Sequence, residues 1–180
     1  MSSEYSVLMN MYFNNQVQHS EDAMIKAGDY FIEFKREDVE KTFFDVQFQY
    51  RCNIIFKDLT GREVRRLVIN EFQAMQLLDG INAYVYDNEF LEESYLLSNV
   101  NGPTIYETYT LCLMAIIRDD EDPNNNVFEM VLKRYNDVLG VLDDVLTIKL
   151  TLNELDSFVD TAFFIFLIDI ASDRNGIFQV

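Results

Sequence analysis

The sharpest pattern in this chain is an alternation. Across residues 44–54, Phe44, Val46, Phe48, Tyr50, Cys52 and Ile54 fall on one side and Asp45, Gln47, Gln49, Arg51 and Asn53 on the other. A period of two over that length predicts a β-strand with one face on a core and one in water. Asp58-Leu59-Thr60-Gly61 supplies turn chemistry, and residues 64–69 return as the partner strand. A shorter strand is expected over 30–35, after the Gly28-Asp29 break and before a charged turn at 36–41.

At Asn70 the period changes. Asn is a good N-cap because its side-chain oxygen accepts from free N–H groups of the first turn. Ala74, Leu77, Leu78, Ile81 and Val85 then follow helical spacing, with Gly80 a place to stop or kink. A second acidic helix is expected over 89–97, before the Asn101-Gly102-Pro103 breaker. Residues 104–118 suit either element; their Thr and Tyr content favours a strand paired with 127–135. Residues 137–144 read as a short helical connection and 146–152 as a strand. Residues 4–18 fit both templates and lean to helix.

The last helix, 154–171, carries the strongest stripe: Leu155, Phe158, Val159, Ala162, Phe163, Phe166, Leu167 and Ile170. Phe164, Ile165 and Ile168 add apolar groups on its other sides. Such a helix is either central to the fold or a subunit contact, with those three residues the candidate oligomer surface. The expected class is α+β: an antiparallel sheet of about five to six strands packed with two or more amphipathic helices. Residues 1–180 read as one acidic domain. Within it, LVINEFQAM at 67–75 resembles LTLNELDSF at 150–158: Leu67, Asn70 and Glu71 recur as Leu150, Asn153 and Glu154, an offset of 83 that suggests a degenerate repeat.

Composition then narrows the function classes. The chain holds 31 Asp and Glu against 14 Lys and Arg, a formal charge of −17, and between Glu71 and Glu129 Arg118 is the single base among twelve acids. Apolar residues at 49% and aromatics at 14% are too many for a disordered acidic tail, so the acids decorate a folded body. Phe-rich, Trp-free and Asn-rich usage is compatible with an AT-rich coding region, such as that of a low-GC bacterium, its phage or a virus. Cys52 and Cys112, far apart and in apolar segments, read as buried free thiols. With no signal peptide read at the start and no membrane-length apolar run, a cytoplasmic setting is expected.

No catalytic signature stands out, and no cofactor or metal is expected. His19 is alone in a polar stretch, and no P-loop, dinucleotide fingerprint, nucleophile elbow or zinc motif occurs. Asp119 to Asp122 with Asn124 to Asn126 have calcium-like oxygens, yet Asn125 and Val131 stand where a calcium loop needs Gly and Glu. Glu33-Phe34-Lys35 has the spacing of a nuclease core without its second acidic strand.

The leading expectation is therefore a non-enzymatic interaction domain: an inhibitor or antagonist that docks a negative face on a basic, nucleic-acid-binding partner protein, as a nucleic-acid mimic would. Asp87, Glu89, Glu92, Glu93, Asp119, Asp120, Glu121 and Asp122 are its candidate contacts. The first alternative is a structural protein forming a homo-oligomer through the C-terminal helix. The second is single-stranded nucleic-acid binding through the basic hairpin of Arg51, Lys57, Arg62, Arg65 and Arg66, which the acidic balance disfavours.

Overall fold

The structure, a computed structural model, describes residues 22–38, 50–86, 92–104 and 107–168. They form an α+β fold: one antiparallel sheet of eight strands with two helices. The strands are β1 (Asp22–Ala27), β2 (Tyr30–Asp38), β3 (Tyr50–Lys57), β4 (Glu63–Ile69), β5 (Ser94–Asn101), β6 (Thr108–Ile117), β7 (Val127–Asn136) and β8 (Val141–Thr151). Helix α1 (Glu71–Tyr86) follows β4, and helix α2 (Leu152–Phe166) follows β8. The strands lie side by side in chain order, so every connection within the sheet is a neighbour-to-neighbour one.

The order of elements repeats: four strands and a helix, then four strands and a helix. Matching detail runs through both halves. Phe34, Ile54 and Leu67 are register partners across β2, β3 and β4, as Leu113, Met130 and Ile148 are across β6, β7 and β8, and all six are fully buried. A β-bulge interrupts both central hairpins at the same place. Phe56 faces Arg65 and Lys57 faces Glu63, leaving Val64 as the extra residue; Leu132 faces Leu146 and Lys133 faces Asp144, leaving Val145. Each last strand then runs into a reciprocal helix cap. The Asn70 side chain accepts from Gln73 N at 2.8 Å while Gln73 Oε1 accepts from Asn70 N; Thr151 and Glu154 do the same. Thr151, not Asn153, is the counterpart of Asn70, so the structural offset at this junction is 81 rather than the 83 given by residue identity. The buried helix positions Ala74, Leu77, Leu78 and Ile81 recur at 81 as Leu155, Phe158, Val159 and Ala162.

The two helices pack on the same face of the sheet and on each other. Helix α2 sits against β1, β2 and β8, and α1 against β5 and β3. Phe34 meets Phe158 edge-on with ring centroids 5.0 Å apart and Phe166 at 5.8 Å. The sheet curls around this core until its two ends meet. Gly28, in the β1–β2 turn, donates its N–H to Glu154 Oε2 at 2.8 Å, and a Cβ built there would lie 2.6 Å from the Lys149 carbonyl oxygen of β8. With φ at +58°, Gly28 also needs the left-handed conformation that side chains resist. The middle seam is as narrow: β4 and β5 are joined by the single register pair Val68 and Asn101.

Several expectations change. The sheet has eight strands rather than five or six. Residues 94–101 form a strand where an acidic helix was expected over 89–97, because two register shifts put Leu96 and Leu97 both inside and hide the period of two; Asn99, at φ +53°, belongs to the same irregularity. The helical connection expected at 137–144 is a tight turn and the start of β8. Helix α1 runs through Gly80 without stopping, and β2 extends through Arg36 rather than turning there. The strand expected over 44–54 is described from Tyr50 onward, and the reading of 4–18 lies outside the described residues.

Candidate protein-interaction surface

The two halves share a backbone plan and differ in charge. Nine of the 14 Lys and Arg residues fall between residues 22 and 69, where nine Asp and Glu match them; from residue 70 onward, twenty acids face five bases. On the side of β1–β4 turned away from the helices, opposite charges interleave. Lys57 Nζ bonds Glu33 Oε2 at 3.0 Å, Arg66 holds Glu63 at 2.6 Å, and Lys35 approaches Glu37 at 3.9 Å. Such pairs hold the side chains down and add little stability in water.

The basic hairpin is not a single patch. Arg51, Lys57 and Arg66 lie on the outer side by strand alternation; Arg65 lies on the other, and Arg62 sits in the turn. Arg65 is half-buried, with one guanidinium N–H on the Val64 carbonyl and its Nε buried without a partner. Two of the five, Lys57 and Arg66, are already in ion pairs.

The acidic candidates divide by role. Asp119 organises its own loop: its carboxylate accepts from the N–H groups of Glu121 and Asp122 at 3.0 Å and from the Asn125 amide at 3.0 Å. The Asn125 amide first, and those two N–H groups next, hold its carboxyl below the ordinary range. Asp122 caps a short 3-10 turn, Pro123–Asn125. Asp120 leans on Arg118 at 3.8 Å, and Glu121 and Glu92 are exposed. Glu93 is engaged with Lys133 at 3.3 Å, and Asp144 reaches the same ammonium at 3.7 Å. Burial alone would lower the Lys133 pKa, but Glu93 and Asp144 more than offset it and leave it raised. Asp87 and Glu89 lie outside the described residues. Glu92, Asp120, Glu121 and Asp122 are the exposed candidates among the described residues, Asp122 also serving as a cap.

The C-terminal helix is central. Ile165 and Ile168 are fully buried and Phe164 packs against the core, so the proposed oligomer surface is closed by the monomer's own fold. The structure reaches exposed apolar surface elsewhere, at the tip of the β7–β8 hairpin: Tyr135, Val138, Leu139, Val141 and Leu142. Sequence reading missed this tip by taking the segment for a helix, although Asp137 and Gly140 bracket a turn.

The thiols are inert as placed. Burial first, with Glu71 adding to it, pushes Cys52 up to about 12; burial and then Glu93 push Cys112 up to about 12. Neither is a thiolate at neutral pH. Among the described residues no group of three or more His, Cys, Asp or Glu side chains could hold a metal, and no helix is long and apolar enough to cross a membrane.

No family model matches the chain, and no curated protein matches it. Among solved structures it is similar to the plant transcriptional regulator PBF-2, with 12% identity and a TM-score of 0.43 over 87% of this chain and 86% of that one.

Proposed function

We propose that this chain is a non-enzymatic protein-interaction domain that docks its acidic second half on a basic partner protein, in the manner of an inhibitor or antagonist of a nucleic-acid-binding protein. The observation that supports the reading is the division of charge: two halves of one plan, the first balanced and the second strongly negative. Solubility alone needs no such division, since acids spread over both halves disperse a protein equally well. A coherent negative surface steers a basic partner and favours it over nucleic acid, which the same field repels.

The test is affinity capture from the native host at low ionic strength and at about 0.5 M NaCl, where screening shortens to a few ångströms. A basic protein held at low salt and released at high salt is expected. Replacing Glu92, Asp120 and Glu121 with Lys weakens its retention. Recovery of no basic protein at low salt overturns the reading.

A further inference from the structure

The two central hairpins match as far as their bulges and then part. In the first half, five residues separate Lys57 from its register partner Glu63, and the turn closes at once with Asp58-Leu59-Thr60-Gly61-Arg62. In the second, ten residues separate Lys133 from Asp144, and three further pairs extend the ribbon: Arg134 with Asp143, Tyr135 with Leu142, and Asn136 with Val141. Strand β6 accompanies this ribbon only as far as Tyr109, which faces Arg134.

What the extension adds is apolar and outside the core. Val138 is 91% exposed and Leu139 68%, with Tyr135, Val141 and Leu142 between 40% and 47%. The first half closes the same bulge with one exposed apolar residue, Leu59, where the second presents five. The tip is also held in shape. Asn136 Oδ1 accepts from the N–H groups of Val138 and Leu139 at 3.0 and 3.1 Å, Gly140 N donates to the Asn136 carbonyl at 2.8 Å, and the Asn136 amide bonds Asp143 at 3.1 Å. A rigid apolar tip loses little conformational freedom on docking, and exposed apolar patches of this kind mark interaction sites.

We infer that the β7–β8 ribbon, 134–143, is the anchor by which this chain grips its partner, and that the partner offers an apolar recess rimmed with basic side chains. This rests on the acidic-docking reading above. Charge complementarity selects the occupant. Asp137 and Asp143 outnumber Arg134 around the tip, while Lys133 is shared between Glu93 and Asp144. A second copy, at −17, would meet repulsion, and an anionic bilayer the same.

The experiment uses the full chain and two synthetic probes, an amphipathic Leu/Lys helix and a Lys-only peptide of equal charge, each followed by fluorescence anisotropy at low ionic strength. One variant replaces 134–143 with the residues of 58–62; a second carries Val138→Ser and Leu139→Ser, and circular dichroism and thermal melting check that both fold. The Leu/Lys helix is expected to bind the native chain and to lose roughly tenfold or more with either variant, as removal of a buried anchor does; the Lys-only peptide binds all three alike. Equal affinity of the Leu/Lys helix for all three overturns the anchor and leaves acidic docking standing. Failure of both probes to bind any of them overturns both. Self-association of the native chain that shortening abolishes assigns the ribbon to a second copy and overturns the partner.

Discussion

Set side by side, β1–β4 with α1 and β5–β8 with α2 show one backbone plan carrying two surfaces. Inside, they agree: a buried row across three strands, a bulge at Val64 and at Val145, a capping box at each helix start. Outside, they diverge. The first half pairs several of its bases with acids and closes its hairpin with a short turn; the second carries the acid surplus and a longer, more apolar ribbon. Many buried positions match in place, as close packing requires, while those facing water differ in charge.

The comparison breaks most readily in the core. Phe158 fills the place in α2 that Leu77 fills in α1, and it packs on Phe34. Phe158→Ala is expected to cost about 3–5 kcal/mol, toward the upper end of the ~2–5 kcal/mol expected for Leu77→Ala, by urea denaturation. Equal costs would show that the helices share the core evenly. Next comes the seam between the sheet's ends. Gly28→Ala meets both a positive φ and the Lys149 carbonyl, and should cost roughly 1–3 kcal/mol or more; Gly140→Ala, at φ +67° with open space around it, meets the φ penalty alone. A smaller loss at Gly28 than at Gly140 would mean the ends of the sheet are not pressed together.

The caps sharpen the comparison further. Asn70→Ala and Thr151→Ala should each cost about 1 kcal/mol. Their N3 partners differ, because Gln73 cannot titrate and Glu154 can. Burial pushes the Glu154 carboxyl up, but the N–H groups of Thr151 and Gly28 outweigh it and leave the pKa below its ordinary 4.5. A depressed folded pKa means stability present above the unfolded value and lost as pH falls through the folded one. Urea midpoints should therefore drop below about pH 4.5, and Glu154→Gln should flatten part of that drop while Gln73→Ala does not. The smallest effect is expected at the tips. Leu59→Asp and Leu139→Asp should both leave stability within about 0.5 kcal/mol, since neither side chain touches the core. A larger loss at Leu139 would make the ribbon a structural element rather than a docking one.

Much of the first half was legible in the chain. Val64 to Ile69 and the helix opening at Asn70 stand as read, because alternation and a strong cap are local signals. The acidic candidates were legible as residue types but not as roles. Asp119 and Asp122 fold their own loop and Glu93 is bound to Lys133, arrangements that depend on backbone geometry and on a strand forty residues away. The β5 strand was hidden by its register shifts, and the ribbon by a turn whose apolar residues resemble helix interior.

By itself the sequence determined the α+β class, the buried thiols' apolar setting and the surplus of negative charge, since these follow from composition and short-range periodicity. Only the tertiary structure decided that eight strands curl until Gly28 meets Lys149, that Thr151 rather than Asn153 answers Asn70, and that Ile165 and Ile168 lie inside while Val138 and Leu139 stand in water. The reason is physical. Periodicity tells which side chains share a face, but what covers that face is settled by segments distant in sequence that pack against it.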